Sequence, residues 1–170
     1  KKLCTLINSN RTSKHPKELY SARKDIIIFF ERYKTNDFDF YGRRWSAQLY
    51  KNYKGIVIDK IQCLRKYKFC ICYENMHEVK GYITEKIFHC FKAGCVPVYW
   101  GASNIEEYIP KSCFIDRREF KNNMSLYQFL KNMSENQYNL YIYNIRNHLS
   151  SDLAQLFTPE HFVNEIVKNI

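Results

Sequence analysis

The residues of this sequence best suited to chemistry lie around Lys86, in the run Thr84-Glu85-Lys86. Thr84 is a typical residue to begin a helix, and apolar spacing continues that helix to Ala93. The first turn of a helix has free backbone N–H groups and the positive end of the helix dipole, so a lysine there completes an anion-binding site. A lysine that merely faces solvent is the alternative. A nearby negative group would offset the unfavourable position of this lysine in the helix.

Three further residues near this helix have types that suit a ligand with hydroxyl groups and a flat ring. The carboxylate of Glu85 could accept two hydrogen bonds from a ribose diol, or it could stabilise the first helical turn. The ring of Tyr82 could lie against a base or a sugar, or it could belong to the core. Asn75 follows Glu74 directly after an apolar run, where it could also shape a turn.

These residues need a scaffold, and the apolar pattern predicts an α/β domain with a mainly parallel sheet flanked by helices. In such sheets ligands bind outside the carboxyl ends of the strands. Those ends are predicted to carry Asn8-Ser9, Tyr41-Gly42, Glu74-Asn75 and Trp100-Gly101-Ala102-Ser103. We predict strands at 3–8, 38–41, 67–73, 95–100 and 112–115, a linking segment at 59–65, a helical turn at 104–108, and helices at 17–33, 84–93, 125–149 (broken near 132–137) and 159–170.

Composition and charge narrow the class of protein. The 170 residues suffice for one domain, and 27 basic against 17 acidic residues give a net charge of +10. This balance favours an anionic partner, namely a nucleic acid, an acidic membrane surface or a phosphorylated small molecule, although a lysine-rich soluble surface accounts for most of it. No run approaches the roughly 20 apolar residues of a membrane helix. The absence of GxGxxG and GxxxxGK[ST] argues against a dinucleotide enzyme and a P-loop NTPase.

The seven cysteines are predicted to be free and buried, because their number is odd and most have apolar neighbours. No CxxC or paired Cys/His spacing is present, so no zinc site is expected. Buried thiols favour a reducing compartment, which places the protein in the cytoplasm or at a peripheral membrane face. The sequons at Asn10, Asn123 and Asn132 are the contrary signal, and a missing signal anchor would move the protein to the Golgi lumen.

Three ordered blocks of residues carry a resemblance to a known family. They lie at 67–75, 81–87 and 93–101 and read YKFCICYEN, GYITEKI and AGCVPVYWG. This series resembles the signature of the α-1,3-fucosyltransferases, glycosyltransferase family 10, in all three blocks and in their order. Weaker likeness extends over 39–42 and 104–116, so the resemblance covers most of the chain.

The resemblance implies that this chain is the C-terminal, Rossmann-like half of a GT-B fold that binds GDP-fucose. It also implies inverting α-1,3 transfer of fucose to an N-acetylglucosamine or glucose unit of a glycan. By the same resemblance Lys86 binds the donor phosphates and Glu85 bonds the ribose. Tyr82 and Asn75 line the donor site, and Glu74 belongs to the same motif.

Two parts of the family pattern are missing here. The family places an arginine on the phosphates early in this domain, and in this sequence Lys17 or Arg23 would have to replace it. The half that binds the acceptor and supplies the catalytic base lies outside residues 1–170, so no catalytic residue is assigned. We therefore expect a single donor-binding domain that is inactive by itself. No cofactor is expected, and no DxD motif indicates a metal ion.

The expected partners are a nucleotide sugar and, through the missing N-terminal domain, a glycan acceptor. No nucleic acid is expected, and membrane association would require segments outside this sequence. Another GT-B nucleotide-sugar transferase with a different base or sugar is the nearest alternative. A basic RNA-binding module is a second, but no RNP or GXXG signature supports it, and the aromatic residues lie in core-like strands. A non-catalytic, lectin-like fragment is the third.

Overall fold

Five parallel strands form one sheet with the order β2-β1-β3-β4-β5 in this computed structural model. The structure describes residues 1–158 together with Glu160, His161 and Val167. The central strand is buried at six of its seven positions, as expected of a parallel sheet covered on both faces. The strands are β1 (Lys2–Ile7), β2 (Phe38–Tyr41), β3 (Tyr67–Tyr73), β4 (Val96–Trp100) and β5 (Ile115–Asp116).

Helices follow most strands and cover the sheet. They are α1 (Tyr20–Tyr33), α2 (Lys60–Leu64), α3 (Glu85–Ala93), α4 (Asn123–Asn132), α5 (Glu135–Leu149) and α6 (Asp152–Gln155). Short 3-10 turns occupy Thr35–Asp37, Ile105–Glu107, Lys111–Cys113 and Arg117–Glu119. The predicted helix at 159–170 lies almost entirely outside the described residues. Within the described part, no helix has the length and apolar character needed to cross a membrane.

The predicted fold class is confirmed, because this is a Rossmann-like parallel sheet flanked by helices. The chain runs from β1 outward to β2 and then returns to place β3 on the other side of β1. This reversal of direction creates a crevice between the carboxyl ends of β1 and β3. Doubly wound sheets bind their ligands at that point.

Several element boundaries differ from the prediction for local reasons. The helix predicted from Lys17 begins at Tyr20, where the Glu18 carboxylate accepts the Tyr20 amide. The linking segment contains the short helix α2, whose first turn is capped by Asp59 through the Gln62 amide at 3.0 Å.

The prediction of a strand at 112–115 was wrong for most of its length. The Pro110 carbonyl accepts the Cys113 amide and closes a 3-10 turn, so the strand is shifted to Ile115–Asp116. The long helix is broken as expected, with α4 ending at Asn132 and Ser134 capping α5 through the Gln137 amide.

The core joins the sheet to its helices through aromatic and aliphatic side chains. Phe30 of α1 stacks on Phe38 of β2 with 4.3 Å between ring centroids. Ile87, Cys90 and Phe91 form the buried stripe of α3. All seven cysteines are buried and unpaired, which agrees with the expectation of free thiols.

The outer edge of β2 is covered by the loop that follows it. The Phe40 amide donates to the Asn52 carbonyl at 3.0 Å, and the Lys54 amide donates to the Phe40 carbonyl at 2.9 Å. The Gly42 amide adds a third bond to the Gly55 carbonyl at 2.9 Å. The same loop continues through Ile56 and Val57 toward α2.

Candidate functional site

A cavity of about 520 Å³ opens at the carboxyl ends of β1 and β3, within the size range of small-molecule sites. Its lining is strongly basic. Among the described residues that line it, four side chains are cationic and Glu85 is the one carboxylate. The cationic side chains are Arg11, Arg43, Lys60 and Lys86.

The cavity also has an apolar part. Ile7 from β1, Ile56 and Val57 from the loop after β2, and Leu64 from α2 contribute to its lining. A lining that combines cations with aliphatic side chains suits a ligand that has both an anionic group and a flat, weakly polar ring.

Helix α3 begins at the cavity, and its start differs from the expected cap. Thr84 occupies the N-cap position, but its side chain makes no capping hydrogen bond. Its hydroxyl instead donates to the Glu74 carboxylate, with distances of 3.0 Å to Oε1 and 2.8 Å to Oε2. The Thr84 amide donates to the same carboxylate at 2.9 Å. Glu74 therefore fixes the beginning of α3, while Gly94 ends the helix with a φ of 61°.

Lys86 stands between this buried carboxylate and the cavity. Its Nζ lies 2.8 Å from Glu74 Oε2 and 2.9 Å from Thr84 Oγ1. The Lys86 side chain is 25% exposed, whereas the Glu74 side chain is 0% exposed. The partly exposed Lys86 side chain thus lines the cavity, and its counter-charge is buried.

Glu85 and His89 occupy the same face of α3. Glu85 Oε1 lies 3.5 Å from Lys60 Nζ. Burial alone would raise the pKa of Glu85, but the charges of Lys86 and Lys60 and a backbone hydrogen bond hold the pKa below its usual value. Burial, followed by the charge of Lys60, lowers the pKa of His89. At neutral pH the site therefore contains an ionised Glu85 and a neutral His89.

Arg23 is buried beneath the crevice, and its side chain ties the two strand ends together. Its guanidinium donates to Asn8 Oδ1 at 3.1 Å, to the Tyr73 carbonyl at 2.6 Å and to Asn75 Oδ1 at 3.1 Å. Arg23 is 2% exposed, and burial lowers its pKa. Asn75 in turn donates to the Tyr82 hydroxyl at 3.1 Å. Arg23, Asn75 and Tyr82 therefore form one network.

The structure distributes the predicted site residues between the cavity and its support. Lys86, Glu85 and Asn75 line the cavity, whereas Tyr82, Glu74, Arg23 and Lys17 are not among its lining residues. Lys17 is half-exposed, with its Nζ 3.7 Å from Glu78 Oε2. The donor-binding roles of all seven residues stay predictions.

Sequence reasoning placed Asn8 at a ligand-binding strand end but missed four other lining residues, namely Arg11, Arg43, Lys60 and His89. The available signal was the position of Asn8 and Gly42 at predicted strand ends. These two ends meet closely, because a Cβ on Gly42 would lie 1.9 Å from the Asn8 carbonyl oxygen. Gly42 also has a φ of +142°, so glycine alone fits this contact between the loops that carry Arg11 and Arg43.

A metal centre does not emerge from the described residues. No group of three or more His, Cys, Asp or Glu side chains among them has an arrangement that could hold a metal ion. Among the described residues, the positive charges that line the cavity are therefore those of its arginine and lysine side chains.

Comparison with known proteins assigns the chain to a family. Residues 1–163 match the family described as glycosyltransferase family 10 (fucosyltransferase), C-terminal part. The chain is 32% identical over 137 residues to 4-galactosyl-N-acetylglucosaminide 3-alpha-L-fucosyltransferase 9 of Mus musculus, covering 79% of this chain and 34% of that protein. The chain thus spans about a third of this curated relative.

Two solved structures of an alpha1,3-fucosyltransferase share the fold. The one with GDP has a TM-score of 0.64 and 23% identity, and the one with GDP-fucose has a TM-score of 0.63 and 22% identity. Each comparison covers 84% of this chain and 38% of the solved chain. The match over residues 1–163 shows that the chain belongs to glycosyltransferase family 10, the fucosyltransferases, and corresponds to their C-terminal part.

Proposed function

We propose that this chain is the donor-binding domain of a fucosyltransferase and that its cavity binds GDP-fucose. The observation that carries the proposal is the cationic cavity at the start of α3, in which Lys86 faces a crevice between β1 and β3. Family membership and the similarity to structures solved with GDP and GDP-fucose support the choice of ligand.

Each part of the donor has a chemical counterpart in the cavity. The two phosphates would accept hydrogen bonds from Lys86, from Arg11 or Arg43, and from the free amides at the start of α3. The ionised Glu85 would accept hydrogen bonds from the ribose hydroxyls. The aliphatic side chains of the lining would pack against the base. Burial of their apolar surface would then contribute to the free energy of binding.

The proposed reaction is an inverting α-1,3 transfer of fucose to a hydroxyl of an N-acetylglucosamine or glucose unit. As the bond between the sugar C1 and the phosphate oxygen breaks, negative charge develops on the leaving GDP. Lys86 and the neighbouring cations would stabilise that charge in a site shielded from water. The base that deprotonates the acceptor hydroxyl would come from outside these residues, and the scheme needs no metal ion.

Calorimetric titration with GDP, GDP-fucose, GDP-mannose and UDP tests the proposal. We expect GDP and GDP-fucose to bind with similar affinity and UDP to bind more weakly. A preference for UDP would indicate a different nucleotide-sugar transferase of the same architecture. Binding of generic RNA that weakens steeply with salt, without binding of GDP, would favour a nucleic-acid-binding module.

Lys86→Met should lower the affinity for GDP roughly tenfold to a hundredfold, because a charge-assisted hydrogen bond is worth about 1.5–3 kcal/mol. Methionine retains the aliphatic stem and removes the charge. The same titration measures the effect, with circular dichroism to verify folding. Lys121→Met, an exposed lysine outside the cavity, is the matched control. Equal GDP affinity in the two variants would remove Lys86 from the site.

A further inference from the structure

Glu74 is an unusual residue for the position that it occupies. Its side chain is 0% exposed, yet it carries a carboxylate. A buried charge is unfavourable unless ion pairing and hydrogen bonds compensate it. Here the compensation consists of the Lys86 ammonium, the Thr84 hydroxyl and the Thr84 amide. All the hydrogen-bond donors to the Glu74 carboxylate therefore belong to the start of α3, and the buried charge of Arg23 adds a longer-range attraction.

The bonds of Lys86 show what this arrangement does for a ligand. An ammonium group has three N–H donors. Two of them are used, by Glu74 Oε2 and by Thr84 Oγ1, and the described residues offer no third hydrogen-bond acceptor. One donor thus remains for a group in the cavity, and its direction is set by the other two bonds.

The Glu74 side chain has space only because the residue directly after β4 is a glycine. A Cβ on Gly101 would lie 2.6 Å from Glu74 Cγ and 2.5 Å from the Tyr99 hydroxyl. Tyr99 cannot yield easily, because its hydroxyl accepts the Ala102 amide at 3.0 Å and its side chain is buried. The Glu74 side chain is therefore confined by Gly101 and Tyr99 on one side and by the start of α3 on the other.

We propose that Glu74 is a positioning residue: it does not touch the donor, and its carboxylate holds the Lys86 ammonium at the cavity wall before a phosphate arrives. The inference rests on the proposed function, since it assigns Lys86 to the phosphates. It assigns Glu74 a different role from that of the residues that line the cavity. The positioning role requires the effect of Glu74 on GDP affinity to pass through Lys86, whereas an effect through the start of α3, which Glu74 also fixes, would persist when Lys86 is replaced.

A double-mutant cycle on GDP affinity tests this route. Glu74→Gln keeps the shape and removes the charge, and we expect GDP affinity to fall about tenfold, the lower end of the effect of a charge-assisted bond. Combined with Lys86→Met, the same change should alter GDP affinity less than twofold. Glu135→Gln, which changes an exposed carboxylate bonded to Lys68, is the control and should bind GDP as the unmodified protein does.

Two outcomes of the cycle would overturn the proposal. One is unchanged GDP affinity in a folded Glu74→Gln variant whose melting temperature is lowered, which would mean that the carboxylate serves stability alone. The other is an equally large effect of Glu74→Gln in the Lys86→Met background. If Glu74→Gln does not fold, Thr84→Val replaces it. This variant removes the hydroxyl shared by Glu74 and Lys86, and it should lower GDP affinity several-fold; unchanged affinity would again refute the proposal.

A measurement without nucleotide separates this inference from the proposed function. The ¹⁵N–¹H signal of the Lys86 ammonium should be visible in the unmodified protein, because a held ammonium exchanges its protons slowly, and it should vanish in Glu74→Gln or Thr84→Val. Failure of the unmodified protein to bind GDP or pyrophosphate would refute the proposed function. Persistence of the signal in both variants would refute the positioning role.

Discussion

At the scale of single residues, two neighbours that follow β3 do different things for the cavity. Glu74 and Asn75 are adjacent in the sequence, yet Asn75 lines the cavity and Glu74 is wholly buried. The difference arises after β3 ends at Tyr73, where the Glu74 carboxylate bonds to the start of α3 and the Asn75 amide bonds to Arg23 and Tyr82. Arg23 could be recognised as a cation near the site, but its burial depends on contacts with residues 50 and 52 positions away.

Arg23→Met should destabilise the protein by about 3 kcal/mol, because three acceptors lose a charged donor inside the crevice. Urea unfolding at neutral pH measures the change. Arg32→Met, made on the exposed face of the same helix, is the control and should change stability by no more than about 0.5 kcal/mol. A comparable small effect of Arg23→Met would contradict the supporting role of its guanidinium.

At the scale of elements, the sequence pattern predicted the long units well. The strands Phe38–Tyr41 and Tyr67–Tyr73 have the predicted boundaries, since apolar runs between turn residues define them. Helix α2 escaped prediction because five residues are too few to show helical periodicity. The 3-10 turn at Lys111–Cys113 displaced a predicted strand for a similar reason, since its bonds depend on local geometry rather than on a repeated pattern.

The attachment of α4 to the turn after α1 should depend on pH. Asp37 accepts hydrogen bonds from Tyr127 at 2.7 Å and from Lys131 at 2.9 Å. Burial would raise the pKa of Asp37, but the hydrogen bonds of Lys131 and Tyr127 and the charge of Lys131 hold it below its ordinary value of 3.8. A carboxylate with a lowered folded pKa contributes stability above its ordinary pKa and loses it as the pH falls through the folded value.

Asp37→Asn should therefore lower the free energy of unfolding by about 1 kcal/mol at pH 7, a figure typical of a solvent-screened ion pair. The difference from the unmodified protein should shrink as the pH falls below 3.8. Urea unfolding at a series of pH values measures it. Asp25→Asn, on the exposed face of α1, is the control. A difference that persists unchanged at low pH would show that the Asp37 charge contributes nothing.

At the scale of the whole molecule, the parallel sheet and its carboxyl-end site follow from the alternation of strands and helices. The strand order does not, because nothing in the periodicity of β2 reveals on which side of β1 it lies. The basic lining of the cavity depends on that order. Arg11 and Arg43 follow different strands and meet at the site only because β1 and β2 are neighbours.

We predict that the 170-residue chain binds GDP-fucose but does not transfer fucose. It covers 38% of the solved fucosyltransferase with GDP-fucose, and orienting an acceptor hydroxyl against C1 can supply roughly 7–11 kcal/mol of rate acceleration. Radiolabelled GDP-fucose with N-acetyllactosamine measures transfer, and calorimetry measures donor binding on the same sample. Robust transfer by these residues alone would contradict the prediction and direct the search for a base to Glu78 and Glu106.

The loop after β2 has a second consequence for the molecule. A bare outer strand presents unpaired amides and carbonyls on which a foreign strand can assemble, and proteins avoid aggregation by covering such edges. Residues 52–55 satisfy Phe40 and Gly42 on that side, while Ile56 and Val57 of the same loop line the cavity. Ligand preference and solubility are thus encoded in neighbouring residues. Evolution or engineering that shortens this loop to admit a larger ligand would also expose a surface prone to self-association.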